Sequence, residues 1–314
     1  MRIGLVGNQN SGKTTLFNYL TGMNAKIGNW PGVTIEKKTG KIKGTNHEIT
    51  DLPGIYSLSP YTTEEEVSRN FVFDEKPDII INIVDATSLE RSLYLTTQLL
   101  ELDCKVIVAL NMADMLNKKG LSIDVAKLSR ELGTKVVEIS ALKETGMDEL
   151  IKALDGNFVT EKRKIYDENI EKSIEEIETQ LGDELLHKRF VAVKLLEQDE
   201  GFKKYNSDKI TEIIKNTEKN YDTDLEETIA TERYSYIEKT KKECIVQKKV
   251  TESVSDKLDK IFLNKWLAFP IFVVIMFLVY YLSVGVVGSF TVDWVGDNIG
   301  ALGEWIRGGL ETAG

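Results

Sequence analysis

Residues 7–14 read Gly-Asn-Gln-Asn-Ser-Gly-Lys-Thr and match the phosphate-binding pattern G-x-x-x-x-G-K-[S/T]. The apolar residues 1–6 before this loop are typical of a strand, and residues 15–20 after it are typical of the first turns of a helix. In such a setting, backbone N–H groups and the helix N-terminus surround phosphate oxygens. Lys13 then reaches the β- and γ-phosphates, and the Thr14 hydroxyl binds Mg²⁺.

Three later segments each follow a predicted strand. In Asp-Leu-Pro-Gly at 51–54, Asp51 can hold the Mg²⁺ shell through water and Gly54 can offer its N–H to a γ-phosphate. In Asn-Met-Ala-Asp at 111–114, the Asp114 carboxylate can accept hydrogens from guanine N1 and N2, whereas adenine presents an acceptor at N1. Ser-Ala-Leu at 140–142 can give a backbone N–H to guanine O6. Each segment alone is a common turn or cap, but the four in this order predict a guanine-nucleotide site.

The chain resembles the N-terminal part of the ferrous iron transport protein B (FeoB) family, membrane proteins with a fused G domain. The resemblance covers most of residues 1–292, and segment 29–36 is similar to the family's first switch. The family carries a large multi-helix membrane region, whereas this chain ends soon after one apolar segment, so we expect a fragment or a natural truncation. The matching stretches are 7–16 (GNQNSGKTTL), 29–36 (NWPGVTIE), 51–57 (DLPGIYS) and 189–200 (RFVAVKLLEQDE).

The predicted fold is an α/β P-loop GTPase with a Ras-like doubly wound sheet, followed by a small all-α domain and one transmembrane helix. Strands alternate with helices in the G domain, residues 1–160. Long charged helical stretches mark a helical regulatory domain at 161–255, whose charges we expect on solvated outer faces. The resemblance implies that this domain slows GDP release. The predicted elements are strands 3–6, 79–84, 106–110 and 136–139, a hairpin of 33–43 with 47–50, and helices at 89–102, 165–180, 190–196 and 229–236.

Residues 266–292 contain no charged residue and are long enough to cross the ~30 Å hydrocarbon core of a membrane. The alternative, a buried core helix, is disfavoured because a small domain could not enclose so long an apolar segment. We expect a basic juxtamembrane linker at 256–265 and an extracytoplasmic or interfacial tail at 293–314. The positive-inside rule then places the G domain and the helical domain in the cytoplasm, at the cell (inner) membrane. The charges concerned are Lys257, Lys260 and Lys265 before the segment and Asp293, Asp297 and Glu304 after it, where Arg307 is the only basic residue.

The composition limits the classes of protein to which the chain can belong. A net charge of −10 over 314 residues argues against a general nucleic-acid binder. Cys104 and Cys244 form no metal-binding pattern and are expected to be reduced thiols. Met1 leads directly into the first predicted strand, so we expect no signal peptide.

Ile55 stands where Ras-like proteins have a glutamine that orients the attacking water. An apolar side chain cannot do this, so hydrolysis must be slow or assisted from elsewhere. The resemblance implies that Asn10 and the first switch hold a K⁺ in place of an arginine finger. It also implies that Thr34 joins the Mg²⁺ shell only when the γ-phosphate is bound. We expect Gly28, Pro31 and Gly32 to make the first-switch loop mobile in the nucleotide-free or GDP state.

The predicted function is the GTP-binding and GTP-hydrolysing cytoplasmic part of a ferrous iron transporter, gating uptake by its nucleotide state. Two alternatives stay open: a membrane-anchored regulatory GTPase or scaffold without transport, and a ribosome- or tRNA-associated GTPase. The expected cofactors are GTP or GDP, Mg²⁺ and K⁺. The expected partners are membrane lipid, the remaining membrane segments of the family protein, a small cytoplasmic accessory protein and a second copy of the chain, with no nucleic acid.

The candidate site residues fall into three sets. The predicted catalytic residues are Asn10, Lys13, Thr34 and Gly54. The predicted metal ligands are Thr14, Thr34 and, through water, Asp51 for Mg²⁺, and Asn10 for K⁺. The predicted GTP-binding residues are Gly7, Asn8, Gln9, Asn10, Ser11, Gly12, Lys13, Thr14, Thr15, Gly32, Val33, Thr34, Asp51, Leu52, Pro53, Gly54, Asn111, Met112, Asp114, Ser140, Ala141 and Leu142.

Overall fold

The structure, a computed structural model, describes residues 1–59, 62–118, 120–247, 262, 264, 267–288, 291–292, 294–301, 303 and 307. The chain forms two compact units, Met1–Lys249 and Val250–Gly314. The strands are β1 (Arg2–Gly7), β2 (Ala25–Asn29), β3 (Glu36–Lys41), β4 (Glu48–Asp51), β5 (Ile79–Asp85), β6 (Lys105–Asn111), β7 (Leu121–Ile123), β8 (Lys135–Glu138) and β9 (Ile245–Gln247).

Seven of these strands form one sheet in the order β2-β3-β4-β1-β5-β6-β8. The strands from β4 to β8 in this order run parallel, and β2 and β3 extend the sheet as antiparallel strands. The predicted hairpin is the β3–β4 pair. Gly28, which we placed in the first-switch loop, lies in edge strand β2 opposite Lys37.

Alternate residues of β5 enter two different apolar clusters, as expected for a strand buried on both faces. Ile79, Ile81 and Ile83 pack with one cluster, while Ile80 and Val84 pack with the other. Helices therefore cover both faces, which is the predicted doubly wound arrangement. The helices of the sheet part are α1 (Lys13–Thr21), α2 (Thr63–Asp74), α3 (Leu89–Leu99), α4 (Ala113–Lys118), α5 (Val125–Leu132) and α6 (Met147–Leu154).

Four further helices form a helical region within the same compact unit. Ile170, Ile174 and Ile177 lie on one buried face of the first of them and enter the cluster that contains Ile80. Strand β9 pairs with β7, so the end of this region returns to the sheet part. The helices are α7 (Glu168–Gln180), α8 (Lys188–Leu196), α9 (Asp208–Glu218) and α10 (Leu225–Cys244).

The expectation that the charges of this helical region are solvated is wrong for several residues. Lys194 and Arg233 are fully buried. Each is compensated by carboxylates: Lys194 Nζ lies 2.5 Å from Glu197, and Arg233 lies 2.9 Å from Glu101 in the sheet part. Buried charges of this kind are tolerated because they are paired.

The second unit contains α11 (Ala268–Tyr280) followed by a π-helical stretch, Tyr281–Gly288. Ala268–Gly285 is long and apolar enough to cross a membrane. Proline is tolerated at position 270 because the first turn of a helix needs no N–H donor there. The charged residues Lys257, Lys260, Lys265, Asp293 and Glu304, on which the predicted orientation depends, lie outside the described residues.

Candidate functional site

The phosphate loop connects β1 to α1 and requires its glycines. A Cβ at Gly7 would lie 2.4 Å from Ile83 Cγ2 and 2.7 Å from its carbonyl oxygen. Gly12 has φ of 93°, a left-handed value that favours glycine, and a Cβ there would lie 2.4 Å from Asn111 Nδ2. Asn10 also has a positive φ, 64°, which asparagine tolerates better than most residues. The sequence pattern therefore encodes the shape of this loop.

Two polar residues that we assigned to GTP binding are buried inside the loop. The Ser11 hydroxyl donates to the Asn8 carbonyl at 2.7 Å, and Asn8 Nδ2 donates to the Arg91 carbonyl in α3 at 3.3 Å. Asn8 and Ser11 are 5% and 1% exposed. Their side chains thus hold the loop in place, while Gln9, Asn10, Thr14 and Thr15 are exposed at its surface.

The Asp-Leu-Pro-Gly segment lies directly against the phosphate loop. Lys13 Nζ lies 2.5 Å from Asp51 Oδ1, and both side chains are mostly buried. A Cβ at Gly54 would lie 2.9 Å from Gln9 Cγ, so only glycine allows this approach. The ammonium and the carboxylate at this junction are the two groups that the sequence assigned to phosphate and to the Mg²⁺ shell.

Asn111 joins the phosphate loop to the third predicted segment. Its Nδ2 donates to the Ser11 carbonyl at 2.8 Å, and its Oδ1 accepts from the Ala141 N–H at 3.0 Å. The side chain is 2% exposed. Sequence reasoning placed Asn111 among the GTP-binding residues, and the structure shows that its amide is used to fix two loops relative to each other.

Asp114 lies at the start of α4, next to these loops. Its Oδ2 is 2.5 Å from Lys143 Nζ, and the side chain is one-third exposed. The hydrogen bond from Lys143 lowers the pKa of the Asp114 carboxyl. The carboxylate is therefore ionised at neutral pH, the form needed to accept two hydrogens from guanine. Neighbouring Met112 has φ of 62°, and Leu142 is 88% exposed.

The first-switch residues Gly32, Val33 and Thr34 lie in the loop between β2 and β3. Trp30 N–H donates to the Ile35 carbonyl at 2.9 Å and closes this loop. Within the described residues, no hydrogen bond or ion pair joins residues 32–34 to the phosphate loop. The structure therefore brings together the phosphate loop, the Asp-Leu-Pro-Gly segment and the two later loops, and leaves the first switch in a separate hairpin loop.

Sequence reasoning missed Gln98, a fully buried residue of α3. Its Oε1 accepts from the Leu58 N–H at 2.7 Å and from the Ser57 hydroxyl at 3.1 Å. Gln98 thus fixes the chain just after Gly54. A glutamine within an otherwise amphipathic helix carries no local signal for this role, since its partners are about 40 residues away.

Two family models match the chain. Residues 1–154 match ferrous iron transport protein B, and residues 166–246 match the FeoB cytosolic helical domain. A crystal structure of NFeoB from S. thermophilus bound to GDP.AlF4- and K+ is 45% identical with a TM-score of 0.70, covering 76% of this chain and 98% of that chain.

The chain belongs to the FeoB family. It is a GTPase with the α/β P-loop fold predicted from sequence, and its cofactor is a guanine nucleotide.

Two relatives have names that identify them as Fe(2+) transporters. The Fe(2+) transporter FeoB of Legionella pneumophila (strain Lens) is 39% identical over 304 residues, which are 91% of this chain. A Fe(2+) transport protein A/Fe(2+) transporter FeoB fusion protein of Porphyromonas gingivalis is 33% identical over 333 aligned positions, which cover 98% of this chain. The chain spans 39% of the length of each relative.

Proposed function

We propose that the chain is the GTP-binding and GTP-hydrolysing cytoplasmic part of a membrane ferrous iron transporter, and that its nucleotide state gates Fe²⁺ uptake. The proposal of nucleotide binding rests on the contacts that join the phosphate loop to the Asp-Leu-Pro-Gly segment and to the later loops. There, Lys13 meets Asp51, and Asn111 ties the phosphate loop to Ala141. The transport part is supported by the relatives, of which the chain spans 39%.

We assign five segments to this function. Residues 1–160 are the G domain, 161–255 the helical regulatory domain, 256–265 the juxtamembrane linker, 266–292 the transmembrane helix and 293–314 the outer or interfacial tail. The apolar helix Ala268–Gly285 supports the membrane segment. The Porphyromonas gingivalis fusion protein supports a small accessory protein as partner. Protease added to sealed cells should leave the G domain intact, and release of fragments containing Lys13 would refute this orientation.

The residues at the junction suit Mg²⁺. The cation prefers oxygen ligands and is usually held by one or two protein groups together with substrate phosphates and water. Thr14 offers a hydroxyl at the junction and Asp51 a carboxylate through water, whereas the Thr34 hydroxyl lies in the separate first-switch loop and would join them when the γ-phosphate is bound. Among the described residues, no cluster of three or more His, Cys, Asp or Glu could form an all-protein cage. This donor set therefore fits a cation shared with the nucleotide.

Catalysis by this chain has to proceed without a water-orienting side chain at position 55. Ile55 is 1% exposed and lies in the core, and its N–H donates to the Gly7 carbonyl at 3.2 Å. The site can still lower the barrier through charge, because negative charge builds up between the β- and γ-phosphates in a loose transition state. Lys13 supplies one positive charge, and we assign the Gly54 N–H as a donor to the γ-phosphate.

Asn10 is the group that would recruit a second positive charge. Its amide is exposed in the phosphate loop, and an amide oxygen is a suitable ligand for an alkali cation such as K⁺. K⁺ would supply positive charge in place of an arginine finger. The S. thermophilus structure, which contains K+ with GDP.AlF4-, supports this assignment.

The decisive experiment measures phosphate release in K⁺ and in Na⁺ at equal ionic strength. The unmodified protein should turn over GTP faster in K⁺, and Asn10→Ala should remove the difference while GDP affinity stays nearly constant. Asn18→Ala, an exposed asparagine in α1, is the matched control and should keep the K⁺ effect. Equal rates of the unmodified protein in the two salts would exclude Asn10 from the mechanism.

A further inference from the structure

Trp30 is buried, although the residues around it in the first-switch segment are exposed or half-buried. Its side chain is 5% exposed and belongs to the same apolar cluster as Phe71 of α2. The two rings meet edge to face, with centroids 5.7 Å apart and planes at 80°. This is a favourable aromatic geometry. The first switch is therefore anchored on the helix that follows the Asp-Leu-Pro-Gly segment.

Residues of β3 and β1 also lie against the Trp30–Phe71 pair. Lys37 Nζ of β3 lies 4.1 Å from the centroid of the Trp30 ring and 3.5 Å from Glu75 at the end of α2. A Cβ at Gly4 in β1 would lie 3.0 Å from Phe71 Cε1, so glycine at this position lets the Phe71 ring approach the sheet. The strand that leads into the phosphate loop thus forms part of the wall that supports Phe71.

The backbone of Trp30 also closes the loop that carries Thr34. Trp30 N–H donates to the Ile35 carbonyl at 2.9 Å, and Val33 N–H donates to the Trp30 carbonyl at 3.3 Å. Asn29 and Glu36 pair next to this closure in the β2–β3 ladder. Thr34 is exposed within the closed loop. Because the Trp30 backbone closes this loop and the Trp30 ring packs on Phe71, we expect a movement of Thr34 toward the phosphate loop to open the Trp30–Ile35 bond or to displace Trp30.

One hydrogen-bond donor of the packed Trp30 side chain has no partner in the part of the chain that the structure describes. The Trp30 Nε1–H is buried and has no hydrogen-bond acceptor among the described residues. A buried donor without an acceptor lowers the stability of the state that contains it. Docking of the indole is therefore weaker than its buried area alone would give.

We propose that Trp30 is a positioning residue for Thr34: docked on Phe71, it holds the first switch in the closed hairpin and disfavours GTP relative to GDP. Release of the indole then accompanies GTP binding. The inference rests on the proposed function, in which the Thr34 hydroxyl joins the Mg²⁺ shell of bound GTP. In this proposal, the aromatic contact between Trp30 of the first switch and Phe71 of α2 sets the preference for GDP over GTP.

The first test compares the affinities of the full chain for the GTP analogue GMPPNP and for GDP, both with Mg²⁺. Trp30→Leu should raise the affinity for GMPPNP relative to GDP by about tenfold, a typical coupling between two states, with GDP affinity changed little. Trp30→Phe keeps a ring against Phe71 and should give a smaller shift. Trp294→Leu, an exposed tryptophan of the second unit, is the control and should leave the ratio unchanged. An unchanged ratio in folded Trp30→Leu protein would overturn the proposal.

A second measurement does not depend on the folding of that variant. In a chain with Trp266, Trp294 and Trp305 replaced by phenylalanine, Trp30 is the only fluorophore of its kind. GMPPNP should shift its emission to longer wavelength and increase its quenching by acrylamide, whereas GDP should do neither. Emission that stays the same with both nucleotides would show that the indole remains docked and would refute the inference.

Thr34→Ala separates this inference from the proposed function. If Thr34→Ala weakens GMPPNP binding in Mg²⁺ but Trp30→Leu leaves the ratio unchanged, the Mg²⁺ role stands and the positioning role of Trp30 fails. If Thr34→Ala leaves GMPPNP binding unchanged, the proposed Mg²⁺ role of Thr34 itself fails.

Discussion

Replacing Asn111 with alanine removes both hydrogen bonds that join the phosphate loop to the loop at 140–142. The Ser11 carbonyl and the Ala141 N–H then lose partners that are 2.8 and 3.0 Å away in a nearly fully buried position. Each buried group left unpaired costs about 1–3 kcal/mol, so the two together cost about 2–6 kcal/mol in the assembled site.

Much of this cost should appear when nucleotide binds. Without nucleotide, the two loops of Asn111→Ala can separate and water can solvate the unpaired groups. Nucleotide binding must bring the loops together again, and the Ser11 carbonyl and the Ala141 N–H then lose their hydrogen bonds to water. Taking about 3 kcal/mol for the binding step, the dissociation constant for GDP should rise about 100-fold.

The neighbouring strand offers a matched control. Asn82 in β5 is also buried, at 1% exposure, and its Nδ2 donates to the Thr96 hydroxyl at 2.7 Å. Asn82→Ala should lower the thermal stability without nucleotide but leave GDP affinity within about threefold. Calorimetric titration with GDP and thermal unfolding of both variants decide the matter. Asn111→Ala protein that binds GDP as tightly as the unmodified chain would show that the bridge between the loops is not required.

Three further outcomes are expected. Asp114→Asn should weaken GTP binding more than about 100-fold and improve binding of XTP, because the new amide can donate to the C2 carbonyl of xanthine; competition titrations with both nucleotides measure this. Lys13→Ala should abolish detectable GTP binding in the same titration, since it removes the cation beside the phosphates. Lys194→Met should cost about 3–5 kcal/mol of unfolding free energy at pH 8, whereas Lys172→Met, in an exposed pair, should cost little; thermal unfolding between pH 5 and 8 tests both. The pH dependence follows from Glu197: burial raises the pKa of its carboxyl, but Lys194 and Arg233 outweigh burial and lower the pKa overall. In the unmodified protein this stabilisation is present above the unfolded-state pKa of about 4.3 and is lost as the pH falls. In Lys194→Met we expect the pKa of the Glu197 carboxyl to rise, so the loss of unfolding free energy should become smaller toward pH 5. A loss that does not change with pH would contradict this account.

The parts of the fold that could be predicted carry their signal locally. Strand β5 is a continuous apolar run, and the phosphate loop is defined by glycines whose positions admit no side chain. The Asp-Leu-Pro-Gly segment and the later loops follow such strands, so parallel pairing places them at one edge of the sheet. This explains why the predicted phosphate-loop, Asp51 and Asn111 segments are found together.

Strand β2 could not be predicted because its sequence carries no local signal for a strand. Four of its five residues are exposed, and Ile27, its most apolar side chain, is 68% exposed. An edge strand without a buried face has no alternating pattern, so the sequence predicts no strand here, and we placed Gly28 in the first-switch loop. The β7–β9 pairing was also missed, since each strand has three residues and the partners are more than 100 residues apart.

The burial of Lys194 and Arg233 was missed because Ser59 and Glu101, which meet them, are distant in sequence, although Glu197 is only three residues from Lys194. These contacts connect the helical region to the sheet part. Lys194 in α8 donates to the Ser59 hydroxyl at 2.6 Å, five residues after Gly54, and lies 2.5 Å from Glu197. Glu197 lies 3.4 Å from Arg233, which pairs with Glu101 after α3. If Ser59 moves, the fully buried Lys194 loses a neutral partner that water cannot readily replace. A rearrangement of the Asp-Leu-Pro-Gly segment that reaches Ser59 therefore has a free-energy cost in α8, and the same contact gives the helical region a physical means to resist that rearrangement.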